Sequence, residues 1–166
     1  MMDLYSKHTN PETLHGYKDR FKIPGFAYEE AKRTGNWTEA EPYIMKDPTY
    51  AYLYARDIRK KGRWPEAEPY IMKDPYSAYW YAMYVIKGRF PKAEPYIMKD
   101  PETAYKYAMN ILKGRWPEAE PVIIKDPTYA YLYARDVIKG RWPEAEPYIM
   151  KDPEYARKYK EFIKGR

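Results

Sequence analysis

The chain contains no cysteine, which excludes disulfides, thiolate metal sites and a cysteine nucleophile. Histidine occurs only as His8 and His15, with no companion ligands that would make a metal centre. Serine is confined to Ser6 and Ser77, and neither has the flanking glycines of a nucleophile elbow. The glycines stand singly, so no phosphate-cradling loop is written in the chain. No stretch approaches the roughly 18 apolar residues of a membrane span, and residues 1–10 are too polar for a secretory signal. These absences lead to the expectation of a soluble, cytoplasmic protein that is not an enzyme and needs no metal and no cofactor. The net charge of +6 is spread along the chain rather than gathered in a basic block, as on an ordinary solvated surface.

What is present is repetition. The phrase Gly-Arg-Trp-Pro-Glu-Ala-Glu-Pro recurs with small changes, led by Gly35, Gly62, Gly88, Gly114 and Gly140, at spacings of 27, 26, 26 and 26 residues. Each copy closes on Lys-Asp-Pro and a stretch rich in tyrosine and alanine, which accounts for much of the 21 tyrosines. A fixed period of this size specifies stacked supersecondary units rather than one globular core.

The copy at 114–139 shows the local logic. Asp126-Pro127 is a helix start, because the Asp side chain accepts from orphan amides and proline at the first position loses no hydrogen bond. The following helix carries Ala130, Tyr133, Ala134, Val137 and Ile138 on one face and is expected to stop at Gly140 in a left-handed conformation. A shorter helix is expected from about Pro117 to Lys125, with Trp116, Ala119 and Ile123 on its buried side. Pro121 removes a donor, which predicts a kink or a 3₁₀ opening turn there. Recurring prolines and the lack of two-residue alternation exclude a strand.

The expected fold is all-α, an α-solenoid of five short helix-pair repeats, 35–61, 62–87, 88–113, 114–139 and 140–166, in one continuous domain. Residues 1–34 do not match the repeat and form an N-terminal helical cap, with a helix start at Asn10-Pro11-Glu12 and a short helix from Phe26 to Thr34. In the last copy Lys160 and Lys164 replace stripe positions, so the final helix is polar where earlier helices meet a successor, as a capping helix requires. The extra residue near Arg59-Lys60-Lys61 lengthens the helix end or the adjoining loop. The glutamates Glu41, Glu68, Glu94, Glu120 and Glu146 adjoin the buried aromatic ring and need a tyrosine hydroxyl, an arginine or a helix N-terminus as partner.

The helix-pair plan resembles α-solenoids of the tetratricopeptide, Sel1-like and HEAT kinds. The phrase Gly-Arg-Trp-Pro-Glu-Ala-Glu-Pro with Lys-Asp-Pro-x-x-Ala-Tyr-x-Tyr-Ala resembles tandem repeats in uncharacterised proteins of tailed bacteriophages and other large DNA viruses. That resemblance covers residues 35–166 and implies a viral accessory protein, in the host cytoplasm, with no known catalytic residues.

Function is expected where the repeats present side chains not used for stacking. Tyr52, Tyr79, Tyr105 and Tyr131 form a row beside the core stripe, either an extended aromatic contact surface or a cover over neighbouring helices. Trp80, Met83 and Tyr84 depart from the repeat together and suggest an apolar patch. The leading expectation is a scaffold binding a protein partner through this tyrosine-rich surface. The alternative is a single-stranded nucleic-acid binder, with tyrosines stacking on bases and Arg63, Arg89, Arg115 and Arg141 meeting phosphates. A consensus array without a partner would share the high identity between copies, against which Ser77, Trp80 and Asn110 stand out. The capping lysines oppose end-to-end filaments, leaving a monomer or a side-by-side dimer.

Overall fold

The structure, a computed structural model, describes residues 19–35 and 37–165. The expected helix start at Asn10-Pro11-Glu12, together with His8, His15 and Ser6, lies outside these residues. Among those described there is no strand. The helices are α1 Pro24–Thr34, α2 Glu41–Ile44, α3 Pro48–Tyr54, α4 Glu68–Ile71, α5 Pro75–Tyr81, α6 Glu94–Ile97, α7 Pro101–Tyr107, α8 Glu120–Ile123, α9 Pro127–Tyr133, α10 Glu146–Ile149 and α11 Pro153–Lys164. They pack as two compact units, Met1–Ile71 and Met72–Arg166. In the first, α1 packs on α2 and α3, and α3 on α4. In the second, α5 packs on α6 and α7, α7 on α8 and α9, and α9 on α10 and α11. Within each unit a long helix thus covers the next short helix and the next long one, which is the all-α, helix-pair repeat architecture of a solenoid.

The Asp-Pro starts form as the sequence requires. Asp47, Asp74, Asp100, Asp126 and Asp152 are N-caps in extended geometry, each side chain accepting from backbone amides of the first turn. The short helices open with a 3₁₀ turn at Thr38–Ala40 and at Pro143–Ala145. The regular turn then begins at the glutamate, which leaves the following proline at a position where its missing donor costs nothing. Trp116, Ala119 and Ile123 are buried, as are their counterparts in the neighbouring copies.

Two local expectations are corrected. The long helices do not stay α to their ends. After Tyr54, Tyr81, Tyr107 and Tyr133 the chain widens into π turns at Ala55–Arg59, Ala82–Ile86, Ala108–Leu112 and Ala134–Ile138. The left-handed stop falls on lysine: Lys60, Lys87, Lys113 and Lys139 have φ of 51, 58, 55 and 57°, and of the glycines after them only Gly62, two residues past Lys60, also has a positive φ, of 78°. The cause is the wider turn. The lysine amide and, in three copies, the glycine amide both return to the alanine that opens it, as in Gly140 N–H to Ala134 O at 3.1 Å, so the reversal comes one residue early. The extra residue of the first copy, Lys61, lies in the loop between Lys60 and Gly62. In the last copy Lys160 stands where earlier copies have the turn-opening alanine, and α11 remains α-helical throughout with Lys160 and Lys164 exposed.

Candidate functional site

Most repeated polar groups serve the fold. The hydroxyl of Tyr133 accepts from the Trp116 amide at 2.6 Å and donates to Glu120 Oε1 at 3.1 Å. Tyr107 does the same with Phe90 and Glu94, and Tyr159 with Trp142 and Glu146. The same rings pack on the next copy's aromatic residue, Tyr107 on Trp116 at 5.2 Å and Tyr133 on Trp142 at 5.1 Å. Burial away from water raises these phenols above their usual range, since the charged form loses most by desolvation.

The other side of each glutamate holds an arginine. Arg63, Arg89, Arg115 and Arg141 each grip the glutamate five residues on with both fork nitrogens, at 2.6 to 3.0 Å. The first copy has Asn36 in place of this arginine, and there Arg59 donates to both oxygens of Glu41. Hydrogen bonds from Arg141, and then from Tyr159, hold the Glu146 carboxyl below the ordinary carboxylate range. The four arginines named for phosphate contact therefore have their forks committed to carboxylate, although each side chain remains more than half exposed.

The tyrosine row is buried rather than presented. Tyr52, Tyr79, Tyr105 and Tyr131 are only 6, 2, 7 and 8 % exposed. Tyr105 donates to Asp136 at 2.7 Å in the following copy, and the Tyr79 hydroxyl accepts from Asn110 at 3.0 Å. Tyr52 accepts from Arg56, and Arg135 lies 5.3 Å from the Tyr131 ring centre. An extended aromatic contact surface is thus not displayed along this row. In the second unit the next long helix and its π turn close over these rings, bringing Asn110 to Tyr79, Asp136 to Tyr105 and Tyr155 to Tyr131.

The departures in the second copy behave differently. Trp80 stacks on Tyr84, with centroids 5.3 Å apart and planes 8° from parallel, and meets Tyr76 edge-on at 5.7 Å. Tyr76 and Tyr84 are 52 and 49 % exposed, and Trp80 and Met83 are half-buried. Together they form an aromatic ladder, one rung per turn, along α5 and its π turn. Residues 75–86 carry no charged side chain, whereas the corresponding spans 48–59, 101–112, 127–138 and 153–164 all do. Tyr76 was not anticipated as a site residue. The signal was present, since its counterparts are Thr49, Glu102, Thr128 and Glu154.

Why Tyr84 turns outward follows from its position. The equivalent residues Asp57, Asn110 and Asp136 reach Tyr28, Tyr79 and Tyr105 of the preceding helix. A phenol in this place stacks instead on Trp80, one turn earlier. Elsewhere in the second unit an open depression of about 400 Å³ is lined by Gly140, Arg141, Ile163 and Lys164, but the Arg141 fork is already held by Glu146.

Among the described residues no group of histidine, cysteine and carboxylate side chains could hold a metal ion. Among them too, no helix is long and apolar enough to cross a membrane. The class is therefore an all-α helix-pair repeat protein bearing one aromatic surface ladder. Comparison with protein-family models, curated proteins and solved structures finds no match to the chain.

Proposed function

We propose that the protein is a non-enzymatic repeat scaffold that binds a protein partner through the Tyr76–Trp80–Tyr84 ladder. The observation that supports this reading is an aromatic ladder on an uncharged helix, two exposed rungs flanking the half-buried Trp80, where the equivalent helices carry threonine, leucine, arginine and aspartate or charged residues. Exposed aromatic rings of this kind are the side chains that anchor protein interfaces. A nucleic-acid reading draws less support. Its phosphate contacts, Arg63, Arg89, Arg115 and Arg141, are already satisfied by glutamate, and the ladder itself has no cation on its helix. The resemblance of the repeat phrase to viral tandem repeats makes a host cytoplasmic protein the class of partner.

The test is a capture experiment with the intact chain and a variant that gives the second copy the face of the fourth, Tyr76→Thr, Trp80→Leu, Met83→Arg and Tyr84→Asp. Because Thr128, Leu132, Arg135 and Asp136 occupy the same places on α9 and its π turn, the variant should fold. Proteins and nucleic acids are identified in the same eluate. Loss of one protein from the variant eluate is the expected result. Equal recovery from both chains, or recovery of nucleic acid alone, overturns the reading.

A further inference from the structure

We infer that the occupant of the ladder is a short extended peptide segment, with apolar side chains at alternate positions and acidic residues flanking them. This inference rests on the protein-binding reading and names its partner class. Three observations carry it.

The first is area. A fully covered aromatic ring buries ~150–250 Å², so two rungs about half exposed, Tyr76 and Tyr84, and a less exposed Trp80 between them offer roughly 200–300 Å². A stable interface between folded proteins needs about 800 Å² per partner. The ladder is too small to hold a second copy or a folded domain by itself, and it suits a short segment.

The second is shape. Successive rungs are 5.7 and 5.3 Å apart, close to the ~6.6 Å between same-face side chains of an extended strand. The row is narrow, because the adjoining Ser77, Tyr79 and Tyr81 are buried and Met83 alone widens it beside Tyr84. A helical partner has a similar step but needs a groove in which to lay its apolar face. One row of rungs meets one row of side chains.

The third is charge. Asp74, at the start of α5, turns its carboxylate to the Ser77 amide and remains an anion at that end of the ladder. Glu102 is held by Lys106, which lies beside Tyr76 and Tyr79. Lys87 is exposed just beyond the π turn. With a net charge of +6 on the whole chain, carboxylates flanking the apolar residues are attracted and lysines there are repelled.

The probe is a fluorescein-labelled peptide, Glu-Glu-Phe-Thr-Phe-Thr-Phe-Glu-Glu, titrated with the intact chain and read by anisotropy. The expected result is saturable binding that weakens at least tenfold in three comparisons: when the phenylalanines are made contiguous, when the flanking glutamates become lysines, and when the Tyr76→Thr/Trp80→Leu/Met83→Arg/Tyr84→Asp variant replaces the native chain. Circular dichroism on the variant verifies its folding. A variant that has unfolded is replaced by Trp80→Leu alone, with the same tenfold criterion. No binding, or equal binding in any of the three comparisons, overturns the inference. If the peptide fails while the capture experiment still loses its protein from the variant, the protein-binding reading stands and only the peptide class falls. Sedimentation showing a dimer that the variant abolishes assigns the ladder to self-association, and a labelled oligothymidylate that binds in its place assigns it to nucleic acid. Either outcome overturns the inference.

Discussion

Tyr133 shows how one side chain serves two repeats. Its hydroxyl satisfies the Trp116 amide and Glu120 at the start of its own copy, while its ring packs on Trp142 of the next. Burial of such a ring stabilises by about 1.5–3 kcal/mol, and the hydroxyl gives the Trp116 amide its partner while adding to the bonds that Arg115 already makes to Glu120. Tyr133→Phe keeps the ring and removes the hydroxyl. The expected cost is about 1–3 kcal/mol, the price of leaving the Trp116 amide unsatisfied, read as a lower urea midpoint with an unchanged slope. A midpoint equal to that of the native chain would show that water replaces the phenol. At the same scale, the ladder residues Tyr76, Trp80 and Tyr84 are set apart because their rings meet one another along α5 and its π turn.

At the scale of the element, the distinctive feature is the π turn and its left-handed lysine. A non-glycine residue in this conformation costs about 1–2 kcal/mol, and the feature occurs at Lys60, Lys87, Lys113 and Lys139. Gly114, one residue after Lys113, does not have a positive φ, and a Cβ placed there meets nothing within 4 Å. Exchanging the order, Lys113→Gly with Gly114→Ala, puts the permissive residue where the backbone needs it and restricts the unfolded chain elsewhere. The double variant should be more stable by about 0.5–1 kcal/mol, seen as a higher melting temperature. A lower one would mean that the stop is set by something other than backbone preference. The helix starts were legible in the sequence because an Asp-Pro cap is a local rule. The stops were misplaced by one residue because the glycine rule assumes an α turn, and a π turn moves the reversal.

For the whole molecule, the abundance of buried phenols sets its response to base. Tyr28 and Tyr129 are pushed up to about 12, mainly by burial and then by the carboxylates of Asp57 and Glu102. Tyr54, Tyr79, Tyr105, Tyr107, Tyr133 and Tyr159 are raised as well, with burial the largest cause. Groups whose folded values are raised contribute stability that is complete below the unfolded value of about 10 and is lost as the pH climbs through the folded values. Tyrosinate absorbance should therefore rise in two stages, exposed rings first and the remainder together with loss of helical circular dichroism. A single stage near pH ~10 with the helix intact would mean that the buried phenols ionise without unfolding.

The sequence by itself determined the repeat length, the paired helices, the Asp-Pro starts and the buried Ala-Tyr-Ala stripe. These follow from backbone preference and periodicity, which act within one or two turns. It also marked the second copy as different. The tertiary structure decided which aromatic residues reach the surface. Tyr52, Tyr79, Tyr105 and Tyr131 look as available in the sequence as Tyr76 and Tyr84 do, yet the first four are buried and the last two are not. Whether a ring beside the core stripe is covered depends on packing by other parts of the chain, a relation that no single repeat contains. The arginine forks were settled in the same way: only folding brings each one onto its glutamate.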